Sequence, residues 1–418
     1  MSKALLKNII LEQQERIRNI QLIKRNAVFD EACNYVLVGL RRAGKSYTLF
    51  EHIQHLIGQG KASTEEILYI NFEDDRLAGL TLESLHTILD AYGELFPGKP
   101  RIFLDEVQVV AGWEKFARRL ADNGYRVFIT GSNARMLSSE IHSTLGGRFI
   151  ARTIHPFTFR EYLRYHNIIL EKNWQHSPVR LSVRRLFDDY FCFGGFAQAF
   201  PMQDKREWIN GLVQKVLLGD IVARLDVRSP SGLTLLARKL AESVMQPTGQ
   251  NRLTNILKTG GFSISRNTVA DYLSYMEAAF LIFTVPNFTD SLATRNLNEK
   301  HYFSDNGLLN NYLFDPKAKL LENLVAIHLK NTLPENALYY YRKNIEVDFY
   351  IPSESLAVQV AYSLADTGTR NRETKSLCKL AKVFSVKRLF IITLDEEETI
   401  QHDGHTIQVV PVWKWLLL

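Results

Sequence analysis

At 418 residues the chain exceeds one small domain and fits about two to four. Its 46% hydrophobic and 23% charged residues are globular values, which excludes a largely disordered or fibrous protein. Lys and Arg number 51 against 45 Asp and Glu, a formal charge of +6. That mild bias permits a nucleic-acid partner without arguing for one, because such a footprint is a clustered patch. No apolar run approaches the ~18 residues of a membrane span, so no membrane partner is expected. The opening Met1-Ser2-Lys3 soon meets Glu12 and Glu15 and does not read as a signal peptide. Cys33, Cys192 and Cys378 are too few and too scattered for a disulfide framework or a Cys-rich metal site, and a cytoplasmic setting is expected.

In chain order, Leu5, Ile9, Leu11, Ile17 and Ile20 mark an amphipathic helical lead-in up to about Asp30. Short apolar runs follow at Tyr35–Val38, Ile67–Ile70, Ile102–Leu104, Val127–Ile129 and, more weakly, Phe149–Ile154. Buried strands alternating with helices predict a parallel α/β sheet covered on both faces, over about residues 1–160. Residues 161–290 read as helical and end in a compact unit. There a short helix around Leu253–Leu257, the Gly260-Gly261 turn, a second helix through Val269 and Phe280, and the run Leu281–Val285 have the shape of a winged helix-turn-helix. Residues 291–418 return to α/β, with strands at Val347–Ile351, Leu356–Val360, Leu389–Thr393 and Ile407–Val412.

Gly39-Leu40-Arg41-Arg42-Ala43-Gly44-Lys45-Ser46 matches G-x-x-x-x-G-K-[ST] in full. The glycines let backbone N–H groups curl around a β-phosphate, Lys45 neutralises β/γ charge, and the Ser46 hydroxyl ligates Mg²⁺. The helix that leaves the loop, beginning near Lys45, Ser46 and Tyr47, presents its positive end to the same anion. Strand-loop-helix context makes this the strongest signal in the chain.

Arg101-Ile102-Phe103-Leu104-Asp105-Glu106 is an apolar strand ending in two carboxylates. In a phosphate-loop enzyme the first, Asp105, holds the Mg²⁺ shell, and Glu106 polarises the attacking water as general base. Val127–Ile129 runs into Thr130-Gly131-Ser132-Asn133, where Ser132, ahead of Asn133, is a candidate γ-phosphate or water contact; capping a helix is the other role these types favour. Arg148 is a candidate arginine finger in cis or in trans, or else a structural arginine. Glu73, Asp74 and Asp75 read as a solvated acidic turn.

Taken together the chain resembles the prokaryotic AAA-type ATPases that carry the C-terminal domain of unknown function 4143. The residues that carry the resemblance are the phosphate loop, Ile70-Asn71-Phe72-Glu73-Asp74, Leu104-Asp105-Glu106-Val107-Gln108, Thr130–Asn133, Gly147-Arg148-Phe149, Pro156–Tyr162, Gly194-Gly195-Phe196 and Glu346-Val347-Asp348-Phe349. It implies ATP and Mg²⁺ binding, a sheet of the additional-strand catalytic-glutamate class, and a cytoplasmic protein. It implies no known substrate.

The C-terminal part resembles a restriction-endonuclease-like core, with Glu322 on a leading helix and Asp348 in a strand. The triplet Gln359-Val360-Ala361 stands where metal-dependent cleavage needs a carboxylate and a lysine, so this core is expected to be non-catalytic. In the second helix of the winged-helix-like unit Arg266 and Asn267 are offset by Asp271 and Glu277. Protein interaction is therefore expected there ahead of DNA binding, which would be weak and sequence-indifferent. The whole reads as an ATP-hydrolysing switch or motor acting on an unknown protein client or nucleic acid, with a homo-oligomer among the expected states. The alternative is a low-turnover, ATP-gated regulator.

Overall fold

The computed structural model describes residues 2–25, 27–132, 144–225, 227–288 and 298–418. The chain divides into two compact units, Met1–His155 and Pro156–Leu418. The first boundary lies close to the expected one near residue 160. The expected boundary near 290 separates nothing compact, because β6 (Ile282–Val285) pairs antiparallel with β7 (Lys300–Phe303) across it.

The first unit is built on five parallel strands: β1 (Asn34–Val38), β2 (Ile67–Asn71), β3 (Arg101–Asp105), β4 (Arg126–Gly131) and β5 (Phe149–Thr153). Their order is β2-β3-β4-β1-β5. Strand β4 therefore lies between the strand that feeds the phosphate loop and the strand that ends in Asp105, as the additional-strand class requires. All five β1 residues are buried, as the near-continuous apolar runs predict for a sheet covered on both faces. On one face Leu49, Phe50, Ile53 and Leu56 of the helix Lys45–Gly58 pack on Tyr35, Leu37, Tyr69, Phe103 and Phe128. Phe103 and Phe128 stack with centroids 4.9 Å apart, and each such buried ring contributes on the order of 2–3 kcal/mol. The helix Trp113–Asp122 buries Trp113, Phe116, Ala117 and Leu120, an i, i+3, i+4, i+7 stripe. The N-terminal helix spans Lys3–Asn19 rather than reaching residue 30, since the backbone is already extended at Ile20. Gln14 Nε2 ties this helix to β2 by donating to the Ile67 carbonyl at 2.7 Å.

The second unit begins with helices. Phe159–Tyr165 starts with a capping box, in which Thr158 and Glu161 satisfy each other's backbone N–H groups. Helices Val179–Phe193 and Lys205–Gln214 follow, and the latter runs into a π-helical stretch over Lys215–Val222. Helices Pro230–Ser243, Gln250–Thr259 and Arg266–Ala278 then lead into the β6–β7 hairpin. After the helix Lys317–Thr332 comes a mixed sheet of β8 (Tyr339–Arg342), β9 (Glu346–Ile351), β10 (Leu356–Val360), β11 (Arg388–Thr393), β12 (Glu398–His402) and β13 (His405–Pro411). Its order is β12-β13-β11-β10-β9-β8. The helix Thr367–Phe384 crosses over between the parallel pair β10 and β11, burying Leu377, Cys378 and Leu380 against Val347, Ala357 and Ile391. Among the described residues no helix is long and apolar enough to cross a membrane.

Candidate functional site

The phosphate loop joins the buried end of β1 to a helix, and its backbone is bent to one purpose. Gly39, Arg42 and Gly44 have φ of 146°, 66° and 97°. A Cβ on Gly39 would meet the Ile154 carbonyl oxygen at 2.1 Å, so only glycine fits there. Lys45 is the first residue of the helix and is 4% exposed. Its Nζ donates to the carbonyls of Gly39 and Leu40 at 3.1 and 3.2 Å and lies 3.7 Å from Glu106 Oε1. The ammonium is thus folded back on its own loop. Leu40 and Ala43 are buried, whereas Arg42 and Tyr47 are exposed.

Two anchors of this loop escape sequence reading. Arg25 donates from NH1 to the Ala43 carbonyl at 2.9 Å and from NH2 to the His155 carbonyl at 2.8 Å, while its backbone N–H meets both Glu51 oxygens at 3.0 Å. Arg41 pairs with Glu73 at 3.4 Å. Asp74 caps a short 3-10 turn by accepting from Arg76 N, and Arg76 also reaches Glu12. The acidic turn at 73–75 is therefore paired rather than simply solvated, and Arg41 has a partner that spacing does not reveal.

Asp105 ends β3 and is 1% exposed. Tyr69 OH donates to its Oδ2 at 2.5 Å, Thr130 Oγ1 donates to its Oδ1, and the nearby Ser46 hydroxyl favours its charged form. Burial pushes the Asp105 carboxyl up from its ordinary value, and these three donors work against that push. Burial and then Asp105 drive the Tyr69 phenol well above its ordinary value, so it stays a donor. The register explains the meeting. Tyr69 lies opposite Phe103, so alternation puts Asp105 on the same face of the neighbouring strand. A tyrosine two positions before Asn71 in a buried run was the available signal.

Glu106 follows in a left-handed conformation, φ 52°, with its N–H donating to Thr130 Oγ1 at 2.9 Å. Gln108 Nε2 donates to Glu106 Oε2 at 2.5 Å. Left-handed backbone in a non-glycine residue is uncommon, and it turns Glu106 away from the strand's alternation and toward Lys45. The site thus brings Lys45, Ser46, Asp105 and Glu106 together from two segments. Ser132 follows the end of β4, whose Gly131 lies opposite Val38 at the mouth of the loop. Its hydroxyl is buried and has no hydrogen-bond partner. Asn133 lies outside the described residues.

Arg148 is not part of this constellation. It precedes β5, whose Phe149 lies opposite Asn34 at the start of β1, whereas the phosphate loop follows Val38 at the other end. Four residues of parallel strand separate the two ends by about 13 Å. Arg148 instead forms an ion pair with Asp122 and donates to the Gly146 carbonyl at 3.4 Å. An arginine finger in cis is excluded by that register.

Comparison with known proteins agrees with the geometry. A family model described as "AAA domain" matches residues 9–163. The uncharacterized protein MJ1544 of Methanocaldococcus jannaschii is 32% identical, over 99% of this chain and 96% of that protein. The chain belongs to the MJ1544 family. An uncharacterized protein of Haemophilus influenzae is 29% identical over the full length of both chains. Among solved structures the Walker-type ATPase PABY2304 of Pyrococcus abyssi is similar, at 18% identity over 71% of this chain and 99% of that one, with a TM-score of 0.39. The family-model match over residues 9–163 makes the first unit an AAA-type phosphate-loop domain. Residues 184–319 match a domain of unknown function, DUF8612, which replaces the domain 4143 that the resemblance implied.

Proposed function

We propose that this member of the MJ1544 family binds ATP with Mg²⁺ and hydrolyses it as a switch or motor acting on a protein or nucleic-acid client. One observation carries the reading: the Lys45 ammonium, the Ser46 hydroxyl, the buried Asp105 carboxylate and the Glu106 carboxylate converge at the mouth of one glycine-bent loop. The donor set suits the ion, since an alcohol and a carboxylate are the hard oxygen ligands that Mg²⁺ takes beside phosphate. ATP supplies the scissile phosphoanhydride, and Mg²⁺ neutralises charge that develops on its phosphates.

The chain's own residues do the rest. Lys45 exchanges the Gly39 and Leu40 carbonyls for the β- and γ-phosphates. Ser46 and Asp105 hold the metal, with Asp105 oriented by Tyr69 and Thr130. Glu106 accepts a proton from the attacking water, and the unpartnered Ser132 hydroxyl is the group free to bond a γ-phosphate oxygen or that water. A role for Arg148 at a nucleotide then requires the loop of a second copy in a homo-oligomer.

A second reading, an ATP-gated regulator of low turnover, draws support from the ties on Glu106. One of its oxygens accepts from Gln108 and the other faces the Lys45 ammonium, so the base is engaged until a nucleotide draws Lys45 away. In the second unit the helix Arg266–Ala278 exposes Asp271 as well as Arg266, which supports at most weak, sequence-indifferent DNA binding. Steady-state ATPase of Glu106→Gln tests the leading reading. Turnover falls about 10²- to 10⁴-fold while ATP affinity is kept, the signature of a lost general base. Unchanged turnover sinks the assignment of Glu106. A wild-type protein that binds ATP but hydrolyses it no faster than the variant favours the gated regulator.

A further inference from the structure

The second unit carries a buried ionic cluster that the ATPase site does not use. Lys300, on β7, is completely buried. Its Nζ lies 2.9 Å from Asp348 Oδ1 on β9, 3.2 Å from Glu322 Oε1 on the helix Lys317–Thr332, and 3.3 Å from Glu346 Oε1 at the start of β9. Three carboxylate oxygens from two elements thus surround one point, and a nitrogen occupies it. Tyr302 OH donates to Glu322 Oε1 at 2.6 Å, and Val360 N donates to Asp348 Oδ2 at 3.0 Å. Glu322 is 1% exposed, and its second oxygen, Oε2, is buried with no hydrogen-bond partner.

Charge does not balance around this point. One ammonium faces three carboxylates; Arg342 also lies 3.6 Å from Glu346, and Arg372 acts on Asp348 from a longer distance. Burial works against the charged amine, but Asp348, Glu322 and Glu346 outweigh it and hold Lys300 above its ordinary value. Burial, with Asp348 adding to it, pushes the Glu322 carboxyl above the ordinary carboxylate range. Three carboxyl groups converging on one buried point, one of them with a spare oxygen, form the hard oxygen ligand set that a divalent ion takes.

Gln359 deepens the contrast with a metal-dependent nuclease. It is buried, accepts from Asp348 N at 2.7 Å, and donates to Glu373 Oε2 at 2.5 Å. A carboxylate in its place would face Glu373 without a proton between them. Among the described residues no group of three or more His, Cys, Asp or Glu stands ready for a metal.

We propose that Lys300 is a built-in cation standing in a divalent-metal position, and that removing its side chain opens a site for Mn²⁺ or Mg²⁺ on Glu322, Asp348 and Glu346. Oxygen ligands approach such ions at about 2.0–2.2 Å, so the carboxylates close in by about 1 Å on the vacated centre. Asp348 and Glu346 are partly exposed and give the ion a route in. The native unit consequently performs no metal-dependent phosphodiester cleavage at this place. This inference is independent of ATP hydrolysis.

The test is Mn²⁺ titration of the full chain by calorimetry and electron paramagnetic resonance, without nucleotide and in an Asp105→Asn background that disables the first unit's carboxylate. Protein with Lys300 intact binds no Mn²⁺ at the cluster. Adding Lys300→Ala tightens Mn²⁺ binding by at least about tenfold, and Asp348→Asn on top removes the gain. Should Lys300→Ala unfold, millimolar Mn²⁺ restores its circular dichroism, because the metal replaces the lost cation. Mn²⁺ bound with Lys300 intact and lost on Asp348→Asn overturns the proposal. So does a folded Lys300→Ala that binds no Mn²⁺, or an unfolded one that Mn²⁺ does not rescue.

Discussion

Lys45 and Lys300 are both buried, one beside backbone carbonyls of a glycine-bent loop and the other among carboxylates. Lys45 donates to two carbonyls of its own loop, and the Glu106 carboxylate lies 3.7 Å away. In the proposed function an arriving phosphate displaces these carbonyls, which carry no net charge of their own. Lys300 sits among three carboxylates at 2.9–3.3 Å, and no anion from outside competes with them. The lesson concerns the partners rather than the residue type. A buried lysine held by carbonyls is a binding group, and one held by carboxylates is part of the scaffold.

The largest effect that sharpens this comparison is on stability. Lys300→Met leaves buried carboxylates with no cation and lowers the stability of the second unit by about 3–5 kcal/mol in metal-free denaturant unfolding. ATP affinity serves as the control and stays within about twofold. A loss under about 1 kcal/mol would make the cluster incidental and erase the contrast.

A smaller effect is expected in the first unit, where Tyr69 acts on Asp105 and only through it on the metal. Tyr69→Phe keeps the ring in the core and removes one donor. It raises the Mg²⁺ concentration for half-maximal ATPase by about 5- to 10-fold, about 1–1.4 kcal/mol, the worth of one ordinary hydrogen bond acting on the metal at second hand. Affinity for ATP without Mg²⁺ is unchanged. A fall in Mg²⁺-free nucleotide affinity instead would mean that the phenol supports the fold of the loop rather than the orientation of Asp105.

Much of the first unit is legible in the sequence because its chemistry is local. The loop motif, the apolar β1 before it and the apolar β3 ending in Asp105 each occupy a few consecutive residues. What resists reading depends on register and crossovers. Tyr69 meets Asp105 only through the pairing of β2 with β3, and Arg25 reaches the loop from a segment with no periodicity at all. Arg148 misleads for the same reason, since its glycine-flanked sequence context gives no sign of which end of the sheet it joins.

In the second unit β7 reads Lys-His-Tyr-Phe, and its polar residues hide a strand that is buried throughout. β12 alternates between exposed and half-buried positions at a sheet edge, with too little apolar pattern to stand out. Asp348, which in sequence reads as part of a nuclease-like core, is an ion-pair partner, because Lys300 arrives from a hairpin 48 positions earlier. The boundary expected near 290 fails through the same β6–β7 pairing, since a hairpin with a long connection looks like a gap between domains.

The account turns on whether the Lys45 ammonium is the exchangeable charge. Calorimetric titration of the wild-type chain and of Lys45→Ala with ATP, each with and without Mg²⁺, measures this most directly. ATP binds the wild-type protein, and the variant gives no measurable heat of binding in either condition. ATP affinity unchanged in Lys45→Ala would contradict the assignment of the phosphate site and the function built on it.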